Sequence, residues 1–501
     1  MIPFAAAVCA LLLIVWAYAF HARREWALAD YKHQLHGAGE RLSVDELLPR
    51  PLTAESNGAR FFLEAQRQIV ARTTLLDTNP PEAMWMVEPG KAMVAWKQPD
   101  VRDESTNTWE QVEAELERER DALDMLEEII QLPAFDFHLD YHAGYTLLLP
   151  HLSTVKKSAQ RLKIAALCEL RRGETAQATT RVRAILALSK GLADERLVIS
   201  QLVRLSIAHI ALAANWELMQ SSAVTQKQLA DLQNAWMSED YLQGAENALL
   251  MERAMGEQTA DELRESSASY RAVMGITSSR VGDWLGDLGR AAADKGKETM
   301  WRYAWSYPDQ LKGLQGKQAL LEGLRRIKSG DPYKTALEFQ TRKLAELGIE
   351  QRPKDDDGVL FGGQEDPRYL FTESVLALER FPRRLMNAET ARQLMITAIA
   401  LKRWQLKRGS NPPNLASLVP EFLQAVPRDP VDGQPLRYKL NPDGTFLLYS
   451  VGEDGVDNGG DPSSPAGTKT FPWLRGRDMV WPGPATDAEV SAHREKIQGR
   501  H

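Results

Sequence analysis

The chain has 501 residues, more than one compact core normally contains, so two or three domains are expected. Its 61 Lys and Arg are outweighed by 68 Asp and Glu, and the net charge of -7 comes without a concentrated basic face, which argues against non-specific nucleic-acid binding. The two cysteines, Cys9 and Cys168, make no disulfide framework and leave the redox compartment open.

The first element along the chain is an apolar segment. Ile2 to Phe20 carries no charged residue, and a helix of this length approaches the bilayer core, about 30 Å at 1.5 Å per residue. Trp16 and Tyr18 stand where an interfacial aromatic belt lies, and residues 21–24 close the run with one His and two Arg. The segment predicts a transmembrane anchor over residues 1–22. A cleaved signal peptide and a buried helix are the alternatives.

The charges beside this segment bear on its orientation. Both arginines lie on its C-terminal side, so the positive-inside rule by itself would keep the bulk of the chain in the cytoplasm. Long downstream domains are often translocated regardless of such charges, and the acidic C-terminal loop described below suits an extracytoplasmic space. We therefore expect a single-pass protein of the inner membrane with its bulk outside the cytoplasm.

Helical patterns dominate residues 23–349, the predicted helical body. Charged, helix-favouring residues run from Arg23 to Leu48 and end at a Pro-Arg-Pro sequence, as expected of a stalk that leaves a membrane. Apolar residues at helical spacing predict helices after Ser56-Asn57 and over Trp109 to Leu132. Between them, the prolines and glycine of residues 78–106 predict a long irregular connection.

Residues 153–220 form the strongest helical run. Three apolar stripes, separated by short breaks, predict helices that pack antiparallel in a bundle or in a helical-repeat array. Residues 197–254 contain LVISQLVRLSIAHIALAA, LADLQNAW and ENALLMERA. This stretch resembles a group of uncharacterised, largely helical, membrane-anchored bacterial proteins, and the resemblance implies no activity.

Two sets of polar residues in the body are candidate sites. His138, His142 and His151 lie near Asp136 and Asp140, and two histidines four apart on one helix face are able to ligate zinc. The alternative is a polar, aromatic-rich segment packed against the bundle, because no Glu completes an H-E-x-x-H arrangement. The second set lies in or beside the apolar stripes, where it either lines a ligand groove or forms internal ion pairs. It comprises Arg204, Glu246, Glu252 and Arg253.

A change in composition marks the start of the C-terminal part. Residues 350–367 are acidic and glycine-rich and predict an inter-domain linker, in which Asp355, Asp356 and Asp357 are either metal ligands or simply solvated. A long helix is expected over about Ala388 to Lys407.

A β-hairpin follows this helix. Apolar and charged residues alternate over Leu436 to Leu440, and Asn441-Pro442-Asp443-Gly444 places Pro, Asp and Gly where a type I turn requires them. The second strand runs from Phe446 to Val451. The sequence therefore predicts two antiparallel strands that end in a glycine-rich loop.

That loop concentrates negative charge. Four carboxylates fall within nine residues among four glycines, and like charges this close repel unless a cation intervenes. The four are Glu453, Asp454, Asp457 and Asp461. Oxygen donors on a flexible loop suit Ca²⁺, although the spacing is not that of an EF-hand. A structural calcium site is expected here.

The order of motifs in the C-terminal part resembles a known family. A helix is followed by NPPNLASLVPEFL, VPRDPVDGQPLRY, LLYSVGEDGVDNGG and RDMVW, an order similar to that in the globular domain of the major pseudopilins of type II secretion systems. The resemblance covers about residues 388–482 and implies a long helix packed on a small antiparallel sheet, with a calcium-binding loop. The implied ligands are the side chains of Asp454, Asp457 and Asp478, with Asp461 as an alternate, and backbone oxygens around Leu448, Ser450 and Val456.

The family's processing signal and the apolar half of its helix are not attached to this module, so a polymerising pilin subunit is not expected. The complete prediction is a mainly α protein with a transmembrane helix, a multi-helix bundle body, an α+β pseudopilin-like domain at residues 368–482 and a tail at 483–501. The expected function is non-enzymatic: protein interaction or a secretion-related role at the cell envelope. The alternatives are a helical-repeat scaffold with a purely structural C-terminal cap, and a metal-dependent hydrolase built on the histidine segment.

Overall fold

The structure is a computed structural model that describes residues 2–69, 75–102, 107–273, 294–349, 369–464 and 476–498. Helices dominate these ranges, and short strands form two small sheets. The predicted fold class is therefore confirmed at the level of a mainly helical protein with a small antiparallel sheet near the C-terminus.

The N-terminal helix α1 spans Ile2–Gly37. The C-terminal half of this helix packs on the body. Leu28 and Leu35 of α1, together with Leu42 just after the helix, form a small hydrophobic cluster with Leu314. The side chains of residues 2–14, 16 and 17 lie outside the described part, so the transmembrane anchor stays a prediction. Among the described residues, the one helix with the length and hydropathy of a membrane span is Val198–Met219, and 67% of its apolar window is buried in the body.

The remaining helices of the body range from four to 25 residues in length. Thr108 and Thr225 each begin a helix with a capping box, in which the threonine accepts from the amide of a glutamine three residues on and that glutamine's side chain accepts from the threonine amide. The helices are α2 (Ala59–Gln68), α3 (Leu75–Thr78), α4 (Trp109–Arg118), α5 (Arg120–Glu127), α6 (Pro150–Arg171), α7 (Thr175–Gly191), α8 (Val198–Met219), α9 (Gln226–Met237), α10 (Tyr241–Glu265), α11 (Ser267–Val273), α12 (Ser306–Lys328) and α13 (Tyr333–Glu346).

Helices α6, α7 and α8 are the centre of the body. They are the three stripes expected in residues 153–220, and their short connections bring consecutive helices into contact. Most of their apolar residues are fully buried, including Leu162, Ile185 and Trp216. Neighbouring helices cover nearly all faces of these three, so polar side chains such as Arg161, Glu169 and Arg181 are buried among them as well.

A small sheet lies in the region where an irregular connection was expected. Strand β1 (Trp85–Glu88) pairs antiparallel with β2 (Lys91–Met93), and β2 pairs in parallel with the C-terminal β6 (Gly483–Pro484). Glu217 on α8 holds this sheet to the bundle, since its buried carboxylate accepts hydrogen bonds from the amides of Met84 and Ala95 at 2.8 and 3.0 Å. The expectation of an irregular connection was wrong here, because β1 and β2 form a local hairpin across Pro89 and Gly90. Only the third strand of the sheet, almost 400 residues away, lies beyond the reach of local pattern.

The C-terminal helix α14 spans Leu370–Arg408, much longer than the expected 388–407, and continues through Pro382. Its start is fixed by Asp309 of α12, whose carboxylate accepts hydrogen bonds from the amides of Phe371 and Thr372 at 2.8 and 3.0 Å. The aspartate thus acts as an N-cap supplied by another helix. Burial raises the pKa of Asp309 to about 6.

The second sheet carries the predicted hairpin. Strands β3 (Arg437–Leu440) and β4 (Phe446–Ser450) pair antiparallel, and β5 (Met479–Val480) extends the sheet on the far side of β4. The amide of Gly444, at φ 83°, donates to the carbonyl of Asn441 at 3.0 Å and closes the expected turn. Beyond the sheets, α15 (Asp487–Gln498) packs through Val490 on β1 and β2.

The C-terminal part is built into the body. One hydrophobic core extends through the described residues from Val44 to Trp481 and includes the buried face of α14. Hydrogen bonds join the two parts as well: the Trp216 indole donates to the carbonyl of Pro482 at 2.9 Å, and the Gln233 side chain donates to that of Phe422 at 2.8 Å. The predicted linker at 350–367, with Asp355 to Asp357, lies outside the described residues, and the division into domains stays a prediction.

Candidate functional site

The acidic loop, residues 452–461, leaves the end of β4 and returns towards β5. Four glycines with positive φ give it successive tight turns. At Gly452 the constraint is steric as well, because a Cβ there would lie 2.4 Å from the carbonyl oxygen of Arg477. The loop therefore holds a defined path against the segment that leads into β5.

Three loop carboxylates share one geometry. Each accepts a hydrogen bond from the backbone amide two residues further along, the arrangement of an Asx turn. These bonds, all 2.9 Å long, join Asp454 to Val456, Asp457 to Gly459 and Asp461 to Ser463. The bond from Gly459 lowers the pKa of Asp457, and those from the side chain and amide of Ser463 lower the pKa of Asp461. The carboxylates thus stabilise turns within their own loop.

Asp478 anchors the loop from the other side. Its carboxylate is fully buried and accepts hydrogen bonds from the amides of Gly460, Asp461 and Asn458, at 2.7, 3.1 and 3.3 Å. Burial nevertheless raises its pKa above the usual range. The three N–H groups form a small nest that binds the negative charge of Asp478, so the loop folds around this carboxylate.

Arg437 on β3 brings a positive charge into the same cluster. Its guanidinium lies 3.0 Å from the Asp429 carboxylate and 3.4 Å from Asp457, and it also forms a close bidentate pair with Asp432. These contacts raise the pKa of Arg437 and lower that of Asp432, for which burial acts in the opposite sense. The arginine therefore neutralises carboxylates that would otherwise repel one another.

Asp429 was not among the predicted site residues, yet it connects the most elements. Besides Arg437, it accepts hydrogen bonds from the Ser450 hydroxyl at 2.8 Å and from the amides of Val431 and Val451, both at 3.0 Å. The carbonyl oxygens of Pro430 and Val431 in turn accept from Tyr333 and Lys334, the first residues of α13. The available signal was the DP-x-x-G-x-P motif, whose Asp and Gly form a tight turn.

The implied backbone ligands have partners within the fold. The carbonyl of Leu448 accepts from the amide of Trp481 at 2.8 Å, and the carbonyl of Val456 accepts from the side-chain amide of Asn458 at 2.9 Å. Ser450 is fully buried and contributes its hydroxyl to the bond with Asp429. The carbonyls of Leu448 and Val456 therefore each accept a hydrogen bond that supports the sheet or the loop.

The predicted calcium ligands accept hydrogen bonds from within the fold. In the ranges that the structure covers, no three His, Cys, Asp or Glu side chains converge closely enough to hold a metal ion. The oxygen donors that Ca²⁺ prefers are present, and several of them accept hydrogen bonds from N–H groups and from the Arg437 guanidinium. The calcium site with Leu448, Ser450, Asp454, Val456, Asp457, Asp461 and Asp478 stays a prediction.

The histidine segment is not brought together as a metal site. The three imidazoles face three different carboxylates: His138 lies 3.3 Å from Asp136, His142 lies 3.3 Å from Asp45, and His151 lies 2.8 Å from Glu195. His151 is buried and stacks on Phe137 with ring centroids 4.2 Å apart. The segment around them packs on the bundle through Phe135 and Tyr141, as expected of the alternative to a metal site.

The charged residues beside the helical stripes form internal ion pairs. Arg204 and Glu239 are almost fully buried and 2.6 Å apart. Arg253 of α10, fully buried, pairs with Glu40 at 2.9 Å just after α1, and Glu246 pairs with Arg325 at 2.8 Å. Arg204 and Arg253 are therefore buried between helices, and the Glu252 carboxylate accepts a hydrogen bond from the amide of Val198 at 3.3 Å. Glu246 and Arg325 lie nearer the surface, where Arg325 also lines an open cleft.

Comparison with protein-family models, with curated proteins and with solved structures gives no match to this chain. The resemblances to pseudopilins and to helical membrane-anchored proteins therefore stay predictions.

Proposed function

We propose that this chain is a non-enzymatic, membrane-anchored envelope protein whose extracytoplasmic helical body is a scaffold for a protein partner. In this proposal the C-terminal module is a structural part of the scaffold. The observation that carries it is the position of α14, which lies inside the common core and is capped by Asp309 from α12. A helix held in this way is suited to completing a rigid body rather than to presenting a mobile site.

The chemistry of the acidic loop supports the same proposal. Its carboxylates are engaged by backbone amides, by the Tyr449 hydroxyl at 3.0 Å from Asp457, and by Arg437. A general base or nucleophile needs an acceptor or donor that is free to reach substrate. Groups committed to loop turns instead give a fixed surface, which suits recognition.

The anchor is supported by the N-terminal residues. Ile2 to Phe20 is uncharged, and Val15 and Tyr18 on α1 are 55% and 74% exposed, whereas Leu28 further along is buried on the body. An apolar helix that projects from a folded body is stabilised when a bilayer covers it.

A second candidate function is favoured by the sheet. A long helix followed by the antiparallel strands β3, β4 and β5, with a loop of oxygen donors between the last two, is the arrangement that the pseudopilin resemblance implies. In that case the module docks on a component of a secretion machine.

The anchor is tested by washing membranes at alkaline pH, which releases peripheral proteins and retains spanning ones. We expect the wild-type chain in the membrane pellet. A variant with Leu12→Arg and Leu13→Arg is expected in the supernatant, because each central arginine costs about 2.5–3.5 kcal/mol of insertion free energy. Leu148→Arg, at a position that is 82% exposed on the body, is the matched control and stays in the pellet. Wild-type protein in the supernatant would contradict the proposal.

A further inference from the structure

Part of α1 lies next to a segment that is about 280 residues further along the chain. The segment comprises a helical stretch over 294–300 and the π-helix Trp301–Trp305. The His21 imidazole lies 3.0 Å from the carbonyl oxygen of Tyr303, and the guanidinium of Arg24 donates to the carbonyl oxygen of Ala304. The segment therefore lies beside α1 directly after the predicted membrane span.

Large apolar side chains are exposed on both sides of this contact. Tyr18 and Trp26 on α1 are 74% and 67% exposed, and Met300 and Tyr303 are 49% and 65% exposed. Exposed apolar side chains scattered singly are ordinary, but these four lie within three residues along the chain of the contacts made by His21 and Arg24. Tyr and Trp are the residues that concentrate at membrane interfaces, where a ring meets both headgroups and acyl chains.

The segment is rigidly presented. Trp301 is fully buried and packs on Tyr270, with ring centroids 5.4 Å apart, while Tyr303 two residues later is exposed. The buried Glu298 pairs with Arg302 at 3.0 Å and with Lys295 at 3.1 Å. Tyr303 is therefore held outward by a packed π-helical turn.

The charge of the surface differs in sign from that of the chain. Residues 18–26 and 294–303 contain five Arg or Lys against three Asp or Glu, whereas the whole chain carries -7. Basic residues next to a bilayer attract anionic headgroups, by about 1 kcal/mol for each Lys or Arg near the surface. The excess of positive charge matches an anionic lipid surface.

We propose that Tyr18 and Trp26 of α1, together with Met300 and Tyr303, form a lipid-contacting collar, so that the body rests on the bilayer through a second element besides its anchor. This inference rests on the proposed membrane location and names the surface that the bilayer covers. The occupant is an anionic lipid bilayer, and the contact of His21 and Arg24 with the π-helical turn fixes the height of the body above it.

The test places a fluorescent probe on single cysteines in the full-length chain. Cys9→Ser removes a native thiol, and the buried Cys168 does not react. Probes are placed at Tyr303→Cys, at Trp26→Cys and at Val15→Cys within the span. Met237→Cys on α9, 44% exposed, is the matched control. Each protein is reconstituted in vesicles of phosphatidylethanolamine and phosphatidylglycerol, with or without lipids that carry a nitroxide quencher near the headgroup.

We expect the nitroxide lipids to quench the probes at positions 303 and 26, with unchanged fluorescence at 237. An unquenched probe at 303 beside a quenched probe at 15 overturns the collar and leaves the anchor intact. If the 303 probe is then also shielded from aqueous iodide, a protein or a second copy covers the surface instead. An unquenched probe at 15 contradicts the proposed anchor, and quenching at 303 in that protein supports lipid contact by the collar without a span.

Discussion

Replacing Asp478 with Ala removes the acceptor of three backbone amides in the acidic loop. The bonds to Gly460 and Asp461, at 2.7 and 3.1 Å, are charge-assisted, and the bond to Asn458 is longer at 3.3 Å. A buried donor left without a partner costs about 1–3 kcal/mol, and because water reaches these half-buried amides, we expect the loop to lose about 2–4 kcal/mol in all.

Hydrogen exchange measures this loss where it occurs. At about 1.4 kcal/mol for each factor of ten, the amides of Asn458, Gly460 and Asp461 should exchange about 30-fold to 10³-fold faster in Asp478→Ala. Asp478→Asn keeps the size and one acceptor oxygen, so it should show a smaller increase. Amides in α7, far from the loop in sequence, are the internal control and should be unaffected.

The same experiment separates a loop anchor from a calcium ligand. If the carboxylate acts by accepting the three amides, wild-type protection is equal in calcium and in a chelator. A ligand that binds only the folded state would instead stabilise the loop by RT ln(1 + [L]/Kd), so protection would rise with the logarithm of the calcium concentration once it exceeds Kd. The reasoning is refuted if chelation alone makes wild-type exchange as fast as that of Asp478→Ala.

Three further predictions concern the body. Glu217→Ala should lower the free energy of unfolding by about 2–6 kcal/mol in a denaturant titration, because the amides of Met84 and Ala95 lose their buried acceptor, while Glu217→Gln should cost less. Burial raises the Glu217 pKa from its ordinary 4.5 to about 7, so the folded state holds the proton more tightly than the unfolded state does. The free energy of unfolding, relative to that of Glu217→Gln, should therefore fall as pH rises from about 4.5 to 7 and stay level above pH 7. A constant difference between the two proteins across that range would contradict the shift. Ending the chain after residue 349 should abolish cooperative thermal unfolding followed by circular dichroism, since α14 supplies part of the common core; a truncated body that melts as sharply as the full chain would show that it folds alone.

The parts of the fold that follow from local pattern were predictable from the sequence. The apolar stripes of residues 153–220 became α6, α7 and α8, and the Asn-Pro-Asp-Gly turn located the hairpin of β3 and β4. Periodicity and turn chemistry involve residues close in the chain, so they need no tertiary information.

The parts that depend on distant contacts were not predictable. The pairing of β2 with Gly483 and Pro484 and the cap that Asp309 gives α14 join residues far apart in the chain. α14 continues through Pro382, which pattern reasoning treats as a helix end. Burial of its flanking turns in the core outweighs the lost hydrogen bond there.

The candidate site shows the same division. Its position and its acidic residues were evident from sequence, whereas the roles of those residues depend on Asp429 and Arg437, which lie in a different motif and on a different strand. The number of carboxylates in the loop suggested that a cation must bind there. The Arg437 guanidinium supplies positive charge instead, and its proximity to the loop depends on the pairing of β3 with β4.

The most direct test of the account is the location of the C-terminus. Two fusions at His501 are compared: an alkaline phosphatase that folds only outside the cytoplasm, and a fluorescent protein that matures only inside it. An anchored envelope scaffold predicts active phosphatase and a dark fluorescent fusion, both retained with membranes. Bright fluorescence with inactive phosphatase would place the body in the cytoplasm and contradict the proposal.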